Sequence, residues 1–425
     1  MCALLAIRVY TQLLSPTEFG KVMMAMGGIA FVDGLLTMAF DQTILSLCGQ
    51  IHDRKRQRTI AAGLALRLVW VQAVIFCLSL LISVLLAIFF KWGLIVAFLL
   101  ILSFVYISSE TLKTSMLSPL AANRRYSRFS LWTTVEGVSV LTITTCGLIF
   151  LRPNLLVFVS CLVTGKIIST SALFVLQFKS KYFRDIDRVD VSHVQADAWQ
   201  HGWPISLMSP LGWTATYLDR FILAAVGGLA ITGTYSAAVG LVGRPYGLTS
   251  SVLTNYFRPR FYTSTTGEVD SGLRRTALIQ WITCAFVIGS LGTIAFATIG
   301  KTIGAVLLAR SYRADLTFFL VFLSFGQTLS IMTHALDNFI LALGESSTLL
   351  KTQFGLAFIT TSVLPVSMIA FGARGAPVGR CLAELTKFGC TLLLACYFMK
   401  KRLVPNYYSS ASSGIDRRLI DPQEP

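Results

Sequence analysis

The stretches SPTEFGKVMMAMGG, Ser15 to Gly28, and GLAITGTYSAAVGL, Gly228 to Leu241, decide how this chain is read. Gly20 matches Gly233, Ala25 matches Ala238 and Gly27 matches Gly240, each at an offset of 213 in a chain of 425 residues. An offset of half the chain is the register left by duplication of a multi-helix unit.

What lies around the two stretches sets the kind of helix. The chain is 54% hydrophobic and only 13% charged, with a mean hydropathy of +0.69. A soluble domain of this size does not carry so little charge, and the composition is that of a polytopic membrane protein. Apolar runs fall near 22–45, 64–90, 93–112, 131–151, 155–178, 203–226, 231–256, 277–299, 314–343, 352–371 and 377–399. Each approaches the ~20 residues a spanning helix needs, giving eleven full spans. Met1 to Leu14 adds an apolar piece that covers roughly 21 Å of a ~30 Å core and reads as the second half of a first helix. Arg8 interrupts it and no small-residue cleavage site follows, so a signal peptide is not the expected reading.

The expected fold is all-α, about twelve transmembrane helices in two six-helix lobes, and the repeat offset equals six spans. Residues 1–178 form the N-terminal lobe and 203–399 the C-terminal lobe. Residues 179–202, with the charge cluster KSKYFRDIDRVD, link them, and 400–425 form a disordered tail.

A net charge of +16 invites a nucleic-acid reading, which the placement of the charges removes. One set of alternate connections, including the C-terminal tail, holds 22 Lys and Arg residues; the opposite set holds 7. The positive-inside rule then places the first set, the C-terminus and, with twelve spans, the N-terminus in the cytoplasm. The basic balance is a topology signal, and nucleic acid is not an expected partner.

The connections are short and leave no room for a soluble catalytic domain, so no enzyme activity is expected. The longest outer connection, Gly300 to Arg313, contains IGAVLLARSY and is expected to form a brief interfacial helix. Nine cysteines fall mostly within apolar runs without CxxC spacing, and read as small buried side chains. Only His334 among the histidines lies in a span, without ligand-spaced partners. Neither a metal nor another cofactor is expected.

The spans nevertheless contain Asp33, Asp41, Arg67, Glu110, Glu136, Lys166, Asp219, Arg220, Arg244, Asp337, Glu384 and Lys387, with Arg380 near an end. A charge at the bilayer centre costs about 2.5–3.5 kcal/mol, so these groups face each other or a watery cavity. Arg380, Glu384 and Lys387 share one helix face, where Glu384 can bridge both bases. Arg67 and Arg380 are also placed to snorkel. Lys166 and Arg244 have no acid within one turn; they either line a basic cavity or pair across helices with acids such as Glu136 or Asp337. Lys166, Arg244, Arg67, Lys387 and Arg380 form the candidate substrate-cavity set. In TATYLDRFILAAVGG, Asp219 and Arg220 lie within reach of the Tyr235 hydroxyl across an antiparallel helix pair. They act there as a helix-pair lock or as a gate, while Gly227, Gly228, Gly233 and Gly240 let the two helices pack closely. Asp33 and Asp41 are candidate coupling carboxylates, or pair with Arg67.

The segments LLSPTEFGKV and LDRFILAAVGGLAITGTYSAAVGL, with Arg258-Pro259 in FRPRFY, resemble the polysaccharide flippases of the multidrug/oligosaccharidyl-lipid/polysaccharide exporter superfamily. In that family a Pro-Glu-Phe/Tyr-Gly turn opens helix two and an Asp-Arg pair precedes a Gly-x-Tyr-Ser helix. The resemblance runs from Met1 to about Arg402 and implies translocation of isoprenoid diphosphate-linked oligosaccharide across the bacterial cytoplasmic (inner) membrane by alternating access. The implied partners are that substrate, membrane lipid, and a polysaccharide polymerase with its export machinery. A surplus of cavity Lys and Arg suits a diphosphate. The alternative within the superfamily is a cation-coupled multidrug exporter, with Asp33 or Asp41 as the coupling acid.

Overall fold

Backbone surrounded by hydrocarbon has no water to take its N–H and C=O groups, so a chain of this composition satisfies them within helices. The computed structural model describes residues 2–50, 54–89, 93–122, 125–177, 209–262, 271–343 and 345–403, and among the described residues there is no strand. The helices are α1 (Cys2–Leu13), α2 (Pro16–Gln50), α3 (Arg54–Phe89), α4 (Gly93–Ala122), α5 (Tyr126–Phe150) and α6 (Leu155–Gln177). They continue as α7 (209–227), α8 (Leu229–Tyr262), α9 (Ser271–Leu307), α10 (Leu316–Ala342), α11 (Ser346–Phe371) and α12 (Gly375–Leu403). Short 3₁₀ turns at Arg310–Tyr312 and Gly372–Arg374 precede α10 and α12. The expected linker, 179–202, and residues 404–425 of the tail lie outside the described residues.

The pairing of helices repeats. α4 packs on α2, α3 and α6, and α10 packs on α8, α9 and α12, so each is the hub of a matching set. The two sets meet chiefly along α2 and α8, with α1 also against α8 and α9.

Eight stretches among the described residues are long and apolar enough to cross a membrane, one of them covering both α11 and α12. Of the eleven expected spans, those at α7 and α8 are helices whose described residues fall short of that hydropathy. α8 is rich in Thr, Ser and Gly, yet Thr232, Tyr235, Ser236, Ala237 and Ala238 are buried. Walled in by α1, α2, α9 and α10, it does not depend on lipid-like side chains.

The seam between α2 and α8 follows from their opening residues. Pro16 begins α2, where its missing N–H is not needed, and Ser15 Oγ caps it by accepting the Glu18 N–H at 3.3 Å. A side chain at Gly20 would strike the Leu229 carbonyl, and one at Gly233 would strike the Pro16 carbonyl. Further along, Gly27 lies against Phe221 and Tyr217 of α7, and Gly240 against Ile7 of α1. Of the glycines expected to bring α7 against α8, Gly233 and Gly240 serve the contacts with α2 and α1 instead, while Gly227 lies against Leu223 and, on α8, Ile231. Gly228 joins α7 to α8 at φ +81°, a conformation that glycine adopts without strain.

The expected interfacial helix within Gly300–Arg313 is not separate. α9 continues to Leu307, and Arg313 caps its end by donating to the Ala305 and Leu308 carbonyls. The 3₁₀ turn that follows buries Tyr312, whose hydroxyl donates to the Leu14 carbonyl at 2.9 Å and whose ring meets Phe19 edge-on. Burial raises the pKa of that hydroxyl. Glu18 accepts the Leu155 N–H at 3.1 Å. The α1–α2 connection is thus gripped by the α5–α6, α7–α8 and α9–α10 connections, which seals one end of the bundle. The cysteines depart from the buried reading: Cys77, Cys146, Cys284 and Cys396 are exposed, and Cys381 is buried.

Candidate functional site

Two charge clusters lie inside the bundle. In the first, α4 runs to Ala122, ten residues past the expected end of its span, and carries Lys113 into the helix rather than a connection. Lys113 pairs with Glu110 one turn earlier at 2.5 Å and reaches both Glu136 oxygens on α5 at 2.9 and 3.1 Å. Lys166 of α6 bonds Glu110, lies 3.4 Å from Glu136, and sits over the Tyr106 ring at 4.0 Å from its centroid. Two lysines and two glutamates therefore compensate one another across α4, α5 and α6. Of the two alternatives for Lys166, the geometry realises cross-helix pairing. Asp33 on α2 accepts the Thr37 hydroxyl at 3.0 Å and lies within electrostatic reach of Lys166 and Lys113.

The second cluster centres on Asp219. Its carboxylate accepts the Tyr235 hydroxyl at 2.6 Å, the Arg380 guanidinium at 2.8 Å and the Arg220 backbone N–H at 2.8 Å. Three helices, α7, α8 and α12, converge on one acid that is 2% exposed. The side-chain partner of Asp219 is thus Arg380 and not its neighbour Arg220, whose guanidinium lies over the Tyr217 ring at 4.8 Å. This also corrects the expected Arg380–Glu384–Lys387 bridge: among the described residues, Glu384 Oε2 is buried without a hydrogen bond. An acid and a base 161 residues apart leave no local spacing signal, whereas Asp219 with Tyr235 was legible because both flank one turn.

The other candidates are scattered. Arg244 is exposed on α8, and Arg67 and Lys387 are half-buried on α3 and α12. The Asp41 side chain lies outside the described residues. Asp337 accepts Gln353 Nε2 of α11 at 3.3 Å.

The structure is similar to an inward-facing multidrug resistance MATE family transporter of the MOP superfamily, at TM-score 0.71 and 14% identity over 95% of this chain and 96% of that one. It is similar to the lipid II flippase MurJ in an inward closed conformation, at TM-score 0.69 and 11% identity over 96% and 90%. A MOP superfamily transporter from Pyrococcus furiosus, described by the reverse polarity of its binding pocket, matches at TM-score 0.59 and 14% identity over 93% and 91%. These likenesses establish the fold. Comparison with curated proteins finds no match. Residues 9–314 match the model of one family, and over that majority of its length the chain belongs to the polysaccharide biosynthesis protein family.

Proposed function

We propose that this protein is a flippase that moves isoprenoid diphosphate-linked oligosaccharide units across the bacterial cytoplasmic membrane for surface polysaccharide synthesis. The observation that carries the reading is the seam. Matching helices of the two halves meet through Gly20 and Gly233 at one end, and a bundle closed at one end by a two-fold-related contact can open there by rocking its halves. In this reading the sealed end faces outside and both termini the cytoplasm, which the 22-to-7 distribution of basic residues supports. The halves are residues 1–178 and 203–399, joined by 179–202. Arg244, Arg67 and Lys387 supply cavity charge, and Asp219 with Tyr235 and Arg380 locks α7, α8 and α12 in the closed-outside state. The flipped units then pass to a polymerase and export machinery.

A cation-coupled exporter is favoured by one observation: Asp33 adds a third carboxylate to a cluster with two lysines among the described residues. Reconstitution separates the two readings. With a fluorescent isoprenoid diphosphate oligosaccharide in proteoliposomes, the expected result is protein-dependent exposure of the label to a membrane-impermeant quencher. Dye efflux driven by a cation gradient, without lipid transfer, overturns the flippase reading.

A further inference from the structure

Arg220 is a buried cation that, among the described residues, has no counter-ion. It is 8% exposed, and the adjacent carboxylate is occupied by Arg380, Tyr235 and the Arg220 backbone N–H. Among those residues its guanidinium forms no hydrogen bond or ion pair, and Nε is buried without a partner. The Tyr217 face at 4.8 Å offsets part of the cost of burying the charge. It satisfies none of the guanidinium's five N–H donors, which are arranged to grip a phosphate or carboxylate in two-pronged fashion.

The surroundings leave room for such a group on one side. One turn before Arg220, on the same side of α7, Thr216 is exposed, and a side chain added at Gly212, two turns before it, would meet nothing within 4 Å among the described residues. Gly, Thr and Arg on that side are not a lipid-facing stripe. Past Arg220, Gly228 and the Gly20–Gly233 seam close the bundle. Arg220 therefore lies between that exposed side of α7 and the closed end.

We propose that Arg220, seated on Tyr217, is an oxyanion-binding residue that takes a phosphate group of the isoprenoid diphosphate substrate. The choice of ligand rests on the flippase reading; the unpaired buried cation does not. Loading Arg220 while Asp219 holds Arg380 places ligand and lock on adjacent residues of one helix.

Binding of farnesyl diphosphate, farnesol and inorganic pyrophosphate to the full-length protein in detergent tests this, with melting temperature recorded for each variant. Wild type is expected to bind farnesyl diphosphate saturably and farnesol weakly, with pyrophosphate reporting the headgroup alone. Arg220→Met should weaken farnesyl diphosphate binding by at least ~10-fold, since a charge-assisted hydrogen bond is lost, and Arg220→Lys should recover part. The ligand-free Arg220→Met protein should melt no lower than wild type, because an uncompensated charge has gone; if it does not accumulate, Arg220→Gln gives the same readout. Equal binding by wild type and Arg220→Met, equal binding of farnesol, or no diphosphate binding by wild type overturns the proposal. Diphosphate binding through Arg220 without lipid transfer in proteoliposomes sinks the flippase reading and leaves the anion site standing.

Discussion

Gly20 and Gly233 lie against each other across the α2–α8 seam, each with its α-carbon under the carbonyl that opens the other helix, Leu229 and Pro16 respectively. The residues and the carbonyls they meet share the same offset of 213, so the contact is made twice by one two-fold relation. Backbone on both sides leaves nothing flexible to yield.

Gly20→Ala and Gly233→Ala are therefore each expected to weaken closure, by about 1–3 kcal/mol if the cost resembles core overpacking. Distances between spin labels on the α1–α2 and α7–α8 connections should broaden toward a longer population, with little change in helix content. A single short distance in both variants contradicts the seam's role. At Gly28 and Gly243 an added methyl would meet no atom of the described residues within 4 Å, so these two serve as controls in which alanine should be silent.

The repeat behind the seam was legible in the sequence, whereas the α2–α8 contact it makes and the ion pairs between distant helices were not, for one physical reason. Glycines that must admit a backbone leave identical residues at symmetry-related positions, and such identity survives as a repeat. An ion pair needs only complementary charge at one point in space. Glu110 with Lys113 is a spacing of three on one helix face and can be read locally, but Lys166 with Glu110, and Arg380 with Asp219, are fixed by how α6 and α12 rotate against their neighbours. The same limit explains α8, whose Ser, Thr and Gly content is acceptable only because other helices cover it.

Asp219 and Arg380 give a prediction that depends on that rotation. Asp219→Ala strands Arg380 at a buried position, and Arg380→Ala strands Asp219, so each should destabilise by ~3–5 kcal/mol. The double variant should recover part of the loss, with a coupling of roughly 0.5–3 kcal/mol in a double-mutant cycle of unfolding. Tyr235→Phe removes one hydroxyl at little packing change and should cost only about 1 kcal/mol. Strict additivity of Asp219→Ala and Arg380→Ala contradicts the pair.

Lys166 and Arg244 are alike in sequence and are separated by burial, so their variants should fail differently. Lys166→Ala leaves Glu110 and Glu136 sharing Lys113 alone, and should lower the amount of folded protein in the membrane. Arg244→Ala, at an exposed site on α8, should insert and accumulate normally while lowering lipid transfer in proteoliposomes. Normal accumulation of Lys166→Ala, or full transfer by Arg244→Ala, contradicts the corresponding assignment.

The orientation of the sealed end is set by charge counting alone, and reporters can test it. Lys113 belongs to an internal ion-pair network rather than a connection, yet removing it from the cytoplasmic set leaves the bias three to one at about 21 against 7, which the positive-inside rule still reads the same way. A reporter fused after Arg402, beyond nearly all of α12, is expected on the cytoplasmic side. One inserted at Arg152–Pro153, in the α5–α6 connection whose next residues include the Leu155 N–H that Glu18 accepts, is expected outside. Because Glu18, Leu155 and Tyr312 hold the same end of the bundle, the second reporter also locates the seam. Activity with the two sides exchanged would place the Gly20–Gly233 contact on the cytoplasmic face, and the substrate path would then open outward in this state, the opposite of what loading from the cytoplasm requires.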